Sequence, residues 1–266
     1  MTTSTTAVAA AADRLRNAAA TRTPCAPVRD LIGESDAALA YAVQRELSES
    51  RRRSGARVVG HKIGLTAPAV QAQLGVDRPD FGLLFDDMDV SGAPVDFSRL
   101  LQPKIEAEIA FVLAADLTDP DASAGTVAPA VAYALPAFEV VDSRIAAWDI
   151  RFADTVADNA SSGLFVLGTE RRTLNQFSPV EARMTMTRDG RPVSSGEGAA
   201  CLGDPLNALA WLARTAVEFG DPLRAGHVVL SGALGPMVAV EAGDRFHAEI
   251  TGLGGIDAVF TSGAAA

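Results

Sequence analysis

The stretch Ile105-Glu106-Ala107-Glu108-Ile109-Ala110-Phe111-Val112-Leu113 sets two acids two residues apart in an otherwise apolar run. Read as a strand, its side chains alternate between faces. Ile105, Ala107, Ile109, Phe111 and Leu113 then share one face, and Glu106, Glu108, Ala110 and Val112 share the other. Both faces are largely apolar, so the strand is expected to be buried on both sides. Two carboxylates in that position repel each other and lose hydration. They need a cation, a proton or strong hydrogen bonds. Two readings follow. Either the pair belongs to a divalent metal site built from oxygen ligands, or the strand lies at an edge and its glutamates face water.

Other residues narrow the choice of metal. The histidines are His61, His227 and His247, the cysteines are Cys25 and Cys201, and none are closely spaced. Zinc usually draws on clusters of these residues. A carboxylate site instead suits Mg²⁺ or Mn²⁺. A third acid, Glu139, sits in the short apolar run Phe138-Glu139-Val140-Val141. It reads either as a further ligand or as a strand-end residue paired with an arginine. Two lysines, Lys62 and Lys104, stand against 21 arginines. Lys62 lies in a glycine-broken apolar run, where a lysine can act as a compact point charge or titrate. Lys104 has the strand parity of Glu106 and Glu108 and is expected to neutralise them.

The chain is long enough, at 266 residues, for a sizeable core and one or two domains. A net charge of −10 disfavours nucleic acid as a partner. No apolar run approaches the roughly eighteen residues of a membrane span. The start lacks a basic leader region and reads as a helix, not a signal peptide. A cytoplasmic protein is expected.

Helices are expected at 7–20 and 36–53, the second with Ser35 or Asp36 as cap and Leu39, Val43 and Leu47 at spacing four. A strand follows at 58–63, then a short helix from Thr66 to Gly75. Residues 77–104 read as loops and short strands, 127–135 as a short helix stopped by Pro136, and 138–142 as a strand. Residues 154–163 read as a small polar loop, substrate-facing or not. A hairpin turns at Asp189-Gly190, and a helix capped by Asp204 runs to Phe219. Four short strands close the chain, among glycines that serve turns or, at Gly232, close approach to a ligand. The class is α+β, with helices early and a mostly β body later.

Five motifs in this order carry a resemblance. They are Gly60-His61-Lys62-Ile63-Gly64-Leu65-Thr66; Gln73-Leu74-Gly75-Val76-Asp77-Arg78-Pro79-Asp80-Phe81-Gly82; Pro103-Lys104-Ile105-Glu106-Ala107-Glu108; Phe138-Glu139-Val140-Val141-Asp142-Ser143-Arg144-Ile145; and Asp158-Asn159-Ala160-Ser161-Ser162. From about residue 30 to 262 the chain resembles the 2-keto-4-pentenoate (2-hydroxypenta-2,4-dienoate) hydratases. These lie in the hydratase/decarboxylase branch of the fumarylacetoacetate hydrolase superfamily. The resemblance implies an N-terminal helical region (1–80) that contributes Lys62 and Asp80, and a mixed β-roll catalytic core (81–266). It implies Mg²⁺ or Mn²⁺ on Glu106, Glu108 and Glu139, and a homo-oligomer that can associate with a pathway aldolase or decarboxylase.

The implied reaction adds water to 2-hydroxypenta-2,4-dienoate to give 4-hydroxy-2-oxopentanoate, in meta-cleavage breakdown of aromatic compounds or steroids. Lys62 would place charge near the C2 oxygen or carry a proton. Asp80 would activate water or move a proton at the distal carbons; the alternative is a turn-forming aspartate beside Pro79. Ser161 and the Gly232 backbone would orient substrate, or Ser161 would be structural. Three rivals remain: a 4-oxalocrotonate-type (2-oxo-3-hexenedioate) decarboxylase, a C–C bond hydrolase, and a non-catalytic subunit that scaffolds such a decarboxylase.

Overall fold

The computed structural model describes residues 2–67, 71, 76 and 78–262. Most of the expected Thr66–Gly75 helix, and part of the second motif, lie outside them. The first helix is Thr2–Thr21, which buries Ala11, Ala12, Leu15 and Ala18 at helical spacing. The helix Ala37–Arg53 begins at Asp36, whose carboxylate accepts the Leu39 N–H at 3.0 Å. Its last turn holds Arg51, Arg52 and Arg53, where cations suit the helix dipole. Among the described residues, no helix is long and apolar enough to cross a membrane.

Twelve strands follow among the described residues: β1 Val58–Gly64, β2 Asp80–Phe85, β3 Val95–Asp96, β4 Pro103–Leu113, β5 Val131–Asp142, β6 Ser162–Leu167, β7 Arg183–Arg188, β8 Arg191–Glu197, β9 Val228–Ala233, β10 Val238–Ala239, β11 Arg245–Ile250 and β12 Gly254–Thr261. One sheet runs β2-β1-β9-β4-β5-β6, with β10 also paired to β4; the other runs β3-β12-β11-β7-β8. The β1–β9 pair is parallel and the β4 pairs are antiparallel, so the larger sheet is mixed. Strand pairing crosses residue 80, because β1 is an inner strand of the larger sheet.

β4 lies between β9 and β5, and its side chains are almost all buried. That overturns the water-facing edge reading of Glu106 and Glu108. The apolar face of β4 joins Ile105, Ala107, Ile109 and Phe111 to a core that includes Phe138 and Phe165, all at 0% exposure.

Two local expectations need correction. Residues 131–135 are the first part of β5, which runs through Pro136 to Asp142, and helix is confined to Ala124–Val127 and a 3₁₀ turn at Ala128–Ala130. Alanine-rich sequence favours helix, but pairing with β4 wins. Pro136 lies just past Ala137–Leu167, the last β5–β6 pair, where few ladder bonds remain to be lost. Residues 80–85 form a fully buried strand, one of the short strands expected within 77–104. The polar stretch 154–163 is a buried helix, Phe152–Ala157, then a 3₁₀ turn, Asn159–Ser161.

Candidate active site

Glu106 on β4 pairs directly with Glu139 on β5, and Glu108 lies two residues along the same face. Ligand atoms of the three carboxylates lie within 4.8 Å of one another. Glu108 and Glu139 are 0% exposed and Glu106 is 7% exposed. The backbone N–H of Gly232 donates to Glu108 Oε2 at 2.7 Å, and the Cys201 thiol donates to the Gly232 carbonyl at 3.0 Å. Gly232 has φ +107°, and a Cβ there would meet the Thr66 hydroxyl at 2.4 Å. Only glycine brings its N–H to Glu108 in this conformation.

Lys62 projects from β1 into the same centre. Its Nζ lies 3.2 Å from Glu139 Oε1 and donates to the Ala160 carbonyl at 3.1 Å. Glu139 therefore pairs with a lysine, not an arginine. The expected neutraliser, Lys104, instead lays its ammonium over the Trp148 ring, 4.2 Å from the centroid. Burial acts to lower the Lys62 pKa, but Glu139, Asp80, Glu106 and Glu108 outweigh it and hold the ammonium charged. Burial pushes all three glutamates up. Mutual repulsion adds to this for Glu106 and Glu108, and Glu106 reaches about 7.

Asp80 opens β2 and is 1% exposed, so it is not a turn residue at the surface. Burial raises its pKa, opposed by Lys62. Its Oδ2 accepts from the Thr155 hydroxyl at 3.3 Å, and the same hydroxyl lies 3.3 Å from Ser161 Oγ. Ser161 closes a run of three left-handed residues, Asn159, Ala160 and Ser161, with φ of 55°, 53° and 53°. Such a conformation costs about 1–2 kcal/mol per non-glycine residue. It persists because surrounding bonds over-determine it. The Asn159 side chain accepts from Leu83 N at 2.8 Å and donates to Leu83 O at 2.9 Å. Asn159→Ala is expected to destabilise the protein by about 2 kcal/mol through these lost partners. That corresponds to a fall in Tm of roughly 4–8 °C in a thermal melt.

The structure thus gathers Lys62, Asp80, Glu106, Glu108, Glu139, Ser161 and Gly232 around one centre. Sequence reasoning missed Thr155 and the Ala160 carbonyl. Both lie in the stretch read as a loop; no motif marks Thr155, and Ala160 falls inside the fifth motif but acts through its backbone carbonyl, which the residue type does not signal. Among the described residues, four carboxylates face one ammonium; Glu108 Oε1 and Glu139 Oε2 lack a hydrogen-bond donor, and Glu139 Oε1 has only the Lys62 ammonium at 3.2 Å. Buried oxygens in that state fit a hard divalent cation.

Residues 75–261 match the family model for the fumarylacetoacetate (FAA) hydrolase C-terminal domain. The chain is 55% identical to the 2-keto-4-pentenoate hydratase of Burkholderia vietnamiensis, over 96% of this chain and 97% of that one. It is 54% identical to the 2-keto-4-pentenoate hydratase of Paraburkholderia phymatum, over 94% and 96%. Among solved structures, the 4-oxalocrotonate decarboxylase of Pseudomonas putida G7, complexed with magnesium and adipate, superposes with a TM-score of 0.91. It is 37% identical, over 95% of this chain and 97% of that one. The chain belongs to the fumarylacetoacetate hydrolase family, within its group of 2-keto-4-pentenoate hydratases.

Proposed function

We propose that this protein is a metal-dependent hydro-lyase that adds water to 2-hydroxypenta-2,4-dienoate, giving 4-hydroxy-2-oxopentanoate in the meta-cleavage breakdown of aromatic compounds or steroids. The observation that carries this reading is the buried trio Glu106, Glu108 and Glu139, with unpartnered oxygens, in a chain 55% identical to a hydratase of that name. The trio would hold Mg²⁺ or Mn²⁺. When bound, the cation supplies Lewis acidity toward the oxygens of a 2-keto acid. Gly232 serves by holding Glu108, since its N–H is already engaged there.

The chain's own groups divide the remaining work. Lys62 supplies a fixed positive charge beside Glu139, where negative charge grows on the C2 oxygen. The enol must first move a proton to C5 to give the 2-oxo-3-enoate. Water then adds at C4, and C3 takes a proton. Asp80 is the proposed acid–base group at these distal carbons, with Ser161 orienting substrate beside it. Within this division, residues 1–80 supply Lys62 and Asp80 and residues 81–266 supply the carboxylates. The family resemblance also supports a cytoplasmic homo-oligomer able to associate with a pathway aldolase or decarboxylase. Sedimentation and cell fractionation measure those properties.

The test is incubation with Mg²⁺ and fresh 2-hydroxypenta-2,4-dienoate, with product identification. Hydration to 4-hydroxy-2-oxopentanoate is expected, with little CO₂ from 2-oxo-3-hexenedioate. Rapid CO₂ release from the diacid without hydration of the dienoate would make the protein a decarboxylase. The decarboxylase is the weaker reading because its representative shares 37% identity against 55%.

Metal binding should depend on pH. A carboxyl raised in the folded state stabilises the fold below its unfolded pKa, and that contribution is lost as pH rises through the folded value. For Glu106 the window runs from 4.5 to about 7. Metal-free protein should therefore lose Tm across this range. The rise in Tm produced by Mg²⁺ should be larger at pH 8 than at pH 5.5, where protons compete for the same oxygens. An equal rise at both values would contradict a carboxylate site.

A further inference from the structure

The Asp80–Thr155–Ser161 contacts form a chain that the roles assigned above do not use. Thr155 sits on the helix Phe152–Ala157 and is 4% exposed. Its single hydroxyl faces Asp80 Oδ2 on one side and Ser161 Oγ on the other, each at 3.3 Å. These distances exceed the usual hydroxyl value of about 2.8 Å. Catalytic hydrogen bonds commonly tighten when substrate completes a site.

The backbone around the chain is pinned. Gln44, 4% exposed, donates to the Phe81 carbonyl at 2.8 Å and to the Val156 carbonyl at 3.1 Å. Those residues adjoin Asp80 and Thr155. The helix start is held by Asp154, fully buried, which accepts from Val28 N and Arg29 N at 2.9 Å each and from the Arg29 guanidinium at 2.6 Å.

We propose that Thr155 is a positioning residue that couples Asp80 to Ser161 as one hydrogen-bonded unit. A hydroxyl has one proton to give and two lone pairs to accept with. While Asp80 is ionised, Thr155 donates to it and Ser161 donates to Thr155. The Ser161 oxygen then presents lone pairs to the substrate. When Asp80 carries a proton, Asp80 donates to Thr155, Thr155 donates to Ser161, and the Ser161 O–H turns outward as a donor. Each O–H bond broken along the chain is matched by one formed when a proton passes through it. A proton taken up at one end therefore leaves at the other, with no carboxylate movement. Ser161 becomes acceptor or donor in step with Asp80.

The inference rests on the hydratase reading, and its test separates the two. Mg²⁺-loaded wild type, Thr155→Val, Thr155→Ser, Ser161→Ala and the Thr155→Val/Ser161→Ala double variant are assayed on 2-hydroxypenta-2,4-dienoate. Thr155→Val keeps the side-chain shape without the hydroxyl, and Thr155→Ala replaces it if valine does not fold. The Mg²⁺-induced rise in Tm should be unchanged in all of them. Thr155→Val should lose roughly 10–100-fold in kcat with KM within about threefold, because the oxygen end of the substrate is held elsewhere. Thr155→Ser should recover most of the loss. The double variant should be no slower than the slower single variant, as members of one unit are non-additive. Near-normal kcat in Thr155→Val, equal losses in valine and serine variants, or multiplying losses in the double variant would overturn the coupling. Absence of hydration by wild type would instead overturn the hydratase reading, and the coupling with it.

Discussion

Glu108→Gln is expected to make the metal-free protein more stable at pH 8 while it destroys turnover. Glu108 is fully buried, and burial and two neighbouring glutamates push its pKa well up. At pH 8 its ionised form is therefore a net burden on the fold. Glutamine keeps the shape, still accepts from Gly232 N through its amide oxygen, and removes the charge. The Tm of stripped protein should rise. The further rise on adding Mg²⁺ should largely vanish, because one of three charged ligands is gone. Turnover should fall at least about 100-fold, beyond the 10–100-fold typical of residues that only support a metal ligand. A stripped variant less stable than stripped wild type at pH 8 would mean that Glu108 is a structural hydrogen-bond partner.

Lys62→Ala should have a large effect of a different kind. Its ammonium is 3% exposed and is the cation paired to Glu139. Removing one partner of a buried pair costs about 3–5 kcal/mol, since the charge left behind is uncompensated. Bound Mg²⁺ should offset much of that loss. The kcat should fall about 10²–10³-fold, as for loss of a group that stabilises a developing oxyanion. Lys62→Arg should rescue poorly. A Cβ on Gly64 would lie 3.2 Å from Nζ and 2.2 Å from Asp80 Oδ1, so the walls around the ammonium are too close for a guanidinium. Turnover near wild type in either variant, measured with saturating Mg²⁺, would reduce Lys62 to a structural charge.

The carboxylate pair was legible because a strand has a period of two, and the apolar residues around it required burial on both faces. Glu139 was legible for a similar reason, being an acid inside an apolar run. Parity alone misplaced Lys104, because a long side chain follows the nearest favourable partner, and Trp148 supplies it. The strand through Pro136 was hidden because alanines favour helix locally while β4, some thirty residues earlier, dictates extension. The helix carrying Thr155 was hidden for another reason. Its six residues are held by Asp154 bonding to the distant Val28 and Arg29, so its stability is tertiary and short-range sequence carries little of it. Asp80 read equally well as a turn because Pro79 precedes it; its pairing with Gly64 on β1 makes it a strand residue.

The most direct measurement is turnover of 2-hydroxypenta-2,4-dienoate by exhaustively chelated protein as Mg²⁺ or Mn²⁺ is returned, with 4-hydroxy-2-oxopentanoate quantified. Glu106, Glu108 and Glu139 form one centre, so hydration should start near zero and rise with occupancy of a single ion per chain. In Mn²⁺-soaked crystals the ion should lie among the oxygens of those three residues. Undiminished hydration by the chelated protein, or an ion bound elsewhere while turnover is restored, would contradict the account.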